Sequence, residues 1–362
     1  MIDCKIYYKN FPYHLWQVLA GFSILHKNSI IKLSFVKSNE TLPHLMFRAT
    51  INNSSIIFDL NDGYDDFREA QLNFVDCYND LLTNCEYLFK RSFDPEINKL
   101  FLEKGKVQPL CLYYKTTLAG CETHKYNSAL GLKDNIIKLL RRIPLKNNEK
   151  SFSSLDYRNF ECSPKLTKET KILFLARMWE PNIVHENPDM QYHADVKNEE
   201  RHIINEMRAE LITKCKSEFG NNFNGGVTAS DYSQNNYKNI IVDSKLTNKF
   251  NYMDAVKNSD ICISNMGLHR SNGGKLPEYV VASKAIVSEK LHYQAPGNFV
   301  NGKNYLEYQT VDECIESITF LIENPKKRYQ MMLDNFKYYH DYLRPDRIVL
   351  NAIHVVLNKC EI

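Results

Sequence analysis

Asp260-Ile-Cys-Ile-Ser264, the loop 265–275, Leu276-Pro-Glu-Tyr-Val-Val-Ala-Ser283 and Ala285-Ile-Val-Ser-Glu289 read in order as strand, polar loop, helix and strand. Short apolar runs bounded by polar loops are the pattern of strands buried on both faces. The loop contains Gly267, Gly273 and Gly274, which have no Cβ and let the backbone approach a ligand closely. Pro277 is tolerated in a first helical turn, whose N–H groups lack partners and suit a phosphate. Glu278 lies in the same turn, where a carboxylate can accept two hydrogen bonds from a ribose. A solvated first-turn carboxylate is the competing reading of Glu278.

The alternation extends in both directions. Lys171-Ile-Leu-Phe-Leu-Ala176 predicts a buried strand, and 199–219 a long helix ended by Gly220. Strands at 239–242, 260–264 and 285–288 alternate with helices at about 251–258 and 276–283, and helical runs at 311–323, 325–342 and 344–360 close the chain. Upstream, strands are expected at 5–8, 29–36, 54–60, 86–89 and 107–113, with helices at 13–26, 65–82 and 95–103. Such alternation predicts mostly parallel sheets covered by helices. Gly120, Gly131, Pro144, the serines of 151–154 and Pro164 interrupt the rhythm, with one helix at 128–142 inside the interruption. The expected fold class is therefore α/β, with two Rossmann-like domains facing a cleft. Residues 1–165 form the first domain, 166–342 the second, and 343–362 a final helix packing back on the first.

The order of these elements resembles the donor-binding region of the group 1 (family 4-like) GT-B glycosyltransferases. Glu278-Tyr-Val-Val-Ala-Ser-Lys-Ala-Ile-Val-Ser matches that family's helix and following strand, and Asn298-Phe-Val-Asn-Gly-Lys-Asn-Tyr-Leu306 its next turn and strand. The resemblance covers about 171–360. It implies a GT-B transferase that takes sugar from a nucleotide-sugar donor, without a metal or other cofactor and with retention of configuration. The acceptor would be a saccharide or lipid-linked saccharide of bacterial surface polysaccharide synthesis. It further implies that Glu278 binds the donor ribose and that Ser271, Gly273, Gly274 and Lys275 hold the diphosphate. Arg177, at the end of the 171–176 strand, would neutralise the departing nucleotide. Two positions depart from the family: Arg270 stands where a second Glu is often found, and Met178-Trp-Glu-Pro-Asn182 lacks a Lys. Lys275 or Arg270 is expected to supply that charge. His269 is a candidate donor to a sugar hydroxyl or phosphate. Trp179 reads better as packing than as a platform for a base.

In the first half, Phe58-Asp-Leu-Asn-Asp-Gly-Tyr-Asp-Asp66 follows a strand, so Asp62 or Asp65 is a candidate base near the acceptor hydroxyl. An acidic turn and helix start is the alternative. Lys90-Arg-Ser92 follows another strand and could meet a phosphate. The 128–142 helix mixes Leu132, Ile136, Leu139 and Leu140 with Lys133, Lys138, Arg141 and Arg142. It would suit either its own domain or an anionic membrane surface.

Bulk properties narrow the classes. A net charge of +3 gives no reason to expect a nucleic acid partner. No run reaches the roughly 18–20 apolar residues of a membrane span, and no leader pattern opens the chain, so a cytoplasmic protein, peripheral at most to the inner membrane face, is expected. The 10 cysteines form no CxxC pair and the 11 histidines no HxxxH pair, so neither a metal site nor a disulfide scaffold is expected. No GxGxxG follows the first strand of either half, which disfavours a nicotinamide enzyme. The remaining alternatives are a metal-dependent GT-A transferase using 59–62 and a non-catalytic nucleotide- or sugar-binding protein on the same scaffold.

Overall fold

The computed structural model describes residues 1–9, 11–40, 42–43, 45–64, 73–121, 155–182, 184 and 188–359. The helix expected at 128–142, the start of the one expected at 65–82, and Asp65 lie outside these residues.

The fold is α/β, built on two sheets. The first contains β1 (Ile2–Tyr8), β2 (Ile31–Lys37), β3 (Met46–Ile51), β4 (Ser54–Asp59), β5 (Tyr87–Lys90) and β6 (Val107–Pro109) in the order β2-β1-β3-β4-β5-β6. Only β3 runs against the rest. This strand is absent from the sequence reading, which took the first half as simple alternation. Its origin is local: Asn52-Asn53 makes a two-residue hairpin turn with Asn52 at φ 53°, a conformation asparagine tolerates. Two further expectations shorten. The helix at 95–103 holds only over Pro95–Asn98, and the strand at 107–113 ends at Pro109, opposite Lys90, where β5 itself ends.

The second sheet contains β7 (Ile172–Ala176), β8 (Phe223–Val227), β9 (Ile261–Ser264), β10 (Ala285–Glu289) and β11 (Leu306–Tyr308) in the order β11-β10-β9-β7-β8, with every pairing parallel. The strand expected at 239–242 is instead a short 3-10 turn, Lys238–Ile240, with one bridge from Ile241 to Val227. The true strand, Phe-Asn-Gly-Gly-Val, is disguised by its glycines. They are there for space, since a Cβ on Gly226 would lie 2.3 Å from the Ile240 carbonyl oxygen.

Helices cover both sheets. In chain order they are α1 (Trp16–Lys27), α2 (Phe74–Thr83), α3 (Pro95–Asn98), α4 (Pro188–Phe219), α5 (Asp231–Asn236), α6 (Lys249–Lys257), α7 (Lys275–Val281), α8 (Val311–Glu323), α9 (Pro325–Tyr338) and α10 (Pro345–Asn358). The run expected at 325–342 breaks into α9 and a π turn, Tyr339–Leu343. Gly220, at φ 50°, ends α4 in the left-handed conformation. Apolar residues of α8 and α4 pack one face of the second sheet and those of α6 and α7 the other, with α9 giving Met331 and Met332 to the first cluster and Tyr338 to the second.

The last helix lies against α1. Val349, Ala352 and Ile353 share a core with Val18, Leu19 and Phe22. Gly21 sets the spacing, because a Cβ there would lie 2.0 Å from the Pro345 carbonyl oxygen and 2.7 Å from a Val349 methyl. A backbone oxygen cannot swing aside as a side chain can. Gly21→Ala is therefore expected to destabilise the protein by about 1–3 kcal/mol, the usual range for overpacking. A lowered midpoint in urea unfolding would show this, and an unchanged one would mean that α10 shifts freely.

Candidate functional site

The strand order of the second sheet reverses once. The chain moves from β7 to β8 in one direction and from β9 through β10 to β11 in the other, so the loops leaving β7 and β9 diverge. In open parallel sheets the crevice outside such a switch point is where ligands bind. Here it is bounded by Arg177 after β7 and by the 265–275 loop after β9.

One residue holds the two strand ends in place. Arg208, on the buried face of α4 with Ile204, Leu211 and Ile212, donates to the Arg177 carbonyl at 2.6 Å, the Asn265 Oδ1 at 3.2 Å and the Met266 carbonyl at 3.2 Å. Burial lowers its guanidinium to about 10, with Glu289 opposing the shift. Glu289, at the end of β10, accepts the Met266 N–H at 2.7 Å, and burial raises its carboxyl above the ordinary range. Asn205, one position along the chain from Glu206 and fully buried, exchanges two hydrogen bonds with the Trp179 backbone. The Arg177 guanidinium lies 3.9 Å from the Trp179 ring and is otherwise open to solvent. Trp179 thus backs Arg177 as a cation–π partner.

The 265–275 loop closes on itself. Gly267 N–H donates to the Ser271 carbonyl and Ser271 N–H to that of Leu268. Gly273 is required by close approach, since its Cβ would sit 2.3 Å from the Asn265 oxygen; Gly274 faces open space. His269 and Arg270 are both left-handed, at φ 58° and 54°, which for non-glycine residues costs on the order of 1 kcal/mol each. Arg270 turns outward, its N–H directed at Glu200 of α4 at 3.3 Å.

Beyond the loop, α7 spans seven residues and places Lys275 and Glu278 side by side. The Lys275 ammonium turns inward to the Leu175 carbonyl and lies 4.8 Å from the Tyr252 ring. Burial lowers it to about 7; Glu278 opposes this, and the positive charges of Lys249, Arg208 and Arg177 add to it. Glu278 is mostly buried and paired with Lys249 of α6. Of the residues singled out in the sequence, the structure therefore brings Arg177, Lys275 and Glu278 within electrostatic reach of one another, with Ser271, Gly273 and Gly274 in the loop that leads into α7.

On the first sheet, Asp59 and Lys90, at the adjoining ends of β4 and β5, form a fully buried pair at 2.8 Å. Tyr78 and the Asn61 amide also donate to Asp59, and Lys90 lies 4.3 Å from the Tyr64 ring. Asp62 stands just outside, half-exposed and paired with Arg91 at 2.9 Å.

The two sheets meet at their carboxyl ends. Phe93 and Gln294 form an antiparallel bridge. Tyr293 sits in the apolar cluster of Met46, Tyr64 and Tyr78, although its chain segment follows β10. Its hydroxyl donates to the His269 carbonyl at 2.9 Å, and its own carbonyl accepts from Asn272 at 2.9 Å. The strained loop is thereby fastened to the other sheet's core.

Neither Arg208, Lys249 nor Tyr293 was singled out in the sequence. Arg208 alone left a signal, as a charge on the apolar face of a helix. The others arrive from distant segments and only the fold brings them in.

No protein-family model matches the chain, and no curated protein matches it in sequence. Several solved structures are similar in architecture. The C-terminal domain of the group 1 glycosyltransferase LpcC from Francisella tularensis shows 12% identity over 51% of this chain and 96% of that one, with TM-score 0.30. HepE from Anabaena, solved with UDP and glucose, shows 9% identity over 94% and 89%, with TM-score 0.39. The UDP-GlcNAc 2-epimerase of Neisseria meningitidis, bound to UDP-GlcNAc, shows 10% identity over 98% of each, with TM-score 0.35. Scores this low carry no argument about activity, which has to come from the site.

Tyr293→Phe keeps the ring in its cluster and removes the hydroxyl that donates to His269. That bond is worth about 1 kcal/mol, so amide hydrogen exchange at Gly267 and Ser271 should quicken roughly fivefold. Unchanged exchange there would show that the loop holds its strained conformation unaided.

Proposed function

We propose that the protein is a glycosyltransferase that binds a nucleotide-sugar at the crevice of the second sheet and passes the sugar to a saccharide or lipid-linked saccharide. The carrying observation is the meeting of Arg177, Lys275, Lys249 and Glu278 outside the β7/β9 switch point. In this reading Arg177 and Lys275 would hold the diphosphate, and the ribose hydroxyls would turn to Glu278, which now pairs with Lys249. Charge developing on the leaving nucleotide would be met by donors already fixed in place, which is the main source of catalysis in such a site. On the acceptor side, the ion pair with Arg91 already occupies Asp62. Retention of configuration, which asks for no base at that position, is part of the same proposal. Metal-independent transfer and a part in bacterial surface polysaccharide synthesis belong to the same proposal.

Calorimetry with UDP, GDP, ADP, CMP and NAD, without added metal, tests the reading. One nucleoside diphosphate should bind selectively, and binding of none by folded protein would sink it. The best binder should outbind its 2′,3′-dideoxy form, and Glu278→Ala should erase that difference, a loss of about 1–3 kcal/mol. A difference that survives the substitution would place the ribose elsewhere.

Lys275 gives a second test. Free, its ammonium titrates near 7; a bound diphosphate would raise that value by supplying the missing counter-charge. Below pH 7 the proton is already present and affinity should be flat. Above pH 7 binding must take up a proton, so affinity should fall by up to about tenfold per pH unit. Lys275→Met should abolish the slope, and a wild-type affinity independent of pH between 7 and 9 would remove Lys275 from the phosphate site.

A further inference from the structure

A pocket of about 330 Å³ lies between α4 and the 265–275 loop, on the α4 side of the crevice. Its size falls in the range of small-molecule sites. Residues at helical spacing on α4 make one wall: Val196, Glu200, Ile204 and Met207. Met266 and Glu289, from the ends of β9 and β10, make the other. Arg270 stands at the rim.

The chemistry of the walls restricts the occupant. Apolar side chains make most of the lining, and Val196 and Ile203 remain 55% and 62% exposed. Yet Glu199, Glu200 and Glu289 all face the same space. Two of these carboxylates are held by backbone N–H groups, Glu200 by Arg270 and Glu289 by Met266. An anionic ligand would meet three carboxylates, and a wholly aliphatic one would leave their remaining lone pairs unmatched. A small cation would meet the positive charge of Arg270 at the rim. A neutral polyhydroxylated ring fits both features, with its C–H face on Ile204, Met207 and Met266 and its hydroxyls donating to Glu200 and Glu289.

We propose that this pocket is the glycosyl subsite, with Glu200 and Glu289 as acceptors of the sugar hydroxyls. The assignment of that sugar to a donor rests on the transferase reading above; the pocket's taste for a neutral sugar does not. The Arg270 position fits this arrangement, since its backbone aims Glu200 while its side chain guards the entrance.

The test uses the full chain with methyl-labelled methionine, because Met207 and Met266 report on the pocket directly. Glucose, galactose or N-acetylglucosamine, at the millimolar concentrations where a few hydrogen bonds suffice, should shift Met207 and Met266 saturably. Met46 and Met253, which lie in other cores, should not move. Glu200→Gln should weaken the response about tenfold, as expected for a lost charge-assisted bond. Ile203→Trp, at an exposed position, should block it without touching the core. Shifts produced equally by butanol, or none from any of the three sugars, would overturn the proposal. Sugar shifts without nucleotide binding would leave the pocket standing and remove the transferase reading. Nucleotide binding with no methionine response to the matching sugar nucleotide would do the reverse.

Discussion

Arg208 is the constraint on which the candidate site depends. At a switch point the chains leaving two neighbouring strands must part, and their last carbonyls lose the sheet partners they would otherwise have. Left unpaired under α4, each such group would cost roughly 1–3 kcal/mol. A single guanidinium, planar and rich in donors, answers two of these carbonyls and the Asn265 side chain at once. It is itself buried, so removing any partner would leave a charge exposed to apolar surroundings. The consequence is geometric. The backbone of Arg177 and that of Met266 are fixed relative to each other, and so are the groups they present: the Arg177 side chain on one side, the Met266 N–H and Glu289 on the other.

A second fastening comes from outside the sheet. His269 and Arg270 hold backbone conformations that neither would adopt alone. Such strain persists only where neighbours over-determine it. Tyr293 is the neighbour, with its ring in the first sheet's core and its hydroxyl on the His269 carbonyl. The loop that faces the crevice is therefore not the property of one sheet. The Phe93–Gln294 bridge, next to Tyr293 in the chain, ties the same segment to the first sheet a second time.

The second half of the fold was legible because its strands are buried on both faces and write themselves as apolar runs, as in Ile-Leu-Phe-Leu-Ala at β7. Where packing asked for small residues the signal vanished, and Phe223-Asn-Gly-Gly-Val227 passed unread while the apolar Ile240-Ile241-Val242 attracted the strand assignment. The hairpin β3–β4 was hidden differently: its turn is two asparagines, which composition alone attributes to a loop. In the site, Arg177, Lys275 and Glu278 were readable because each sits at a fixed offset from a strand or helix end. Lys249 and Tyr293 were not, because tertiary contact rather than spacing delivers them. Asp59 and Lys90 close two apolar strands with opposite charges, a pattern visible in sequence whose pairing only the β4–β5 register reveals.

The charge balance of the crevice argues for an anion more strongly than the chain's net charge does. Arg177, Arg208, Lys249 and Lys275 converge there against Glu278 and Glu289. Burial lowers the Lys275 ammonium from 10.5 to about 7, and the neighbouring positive charges of Lys249, Arg208 and Arg177 add to this. An unfolded chain would hold that proton up to about 10.5, so between 10.5 and 7 the unfolded state binds more protons. Falling pH therefore works against the fold across that interval, and below 7 the penalty is constant. A protein that keeps a lysine under such conditions maintains an unmet demand for negative charge at one place. Relieving it by a permanent carboxylate would be simple, and Glu278 is near enough to show that the fold can put one there; but Glu278 is already committed to Lys249. On the reading proposed above, a bound diphosphate would supply that charge, with the carboxylates of Glu200 and Glu289 on the α4 side of it.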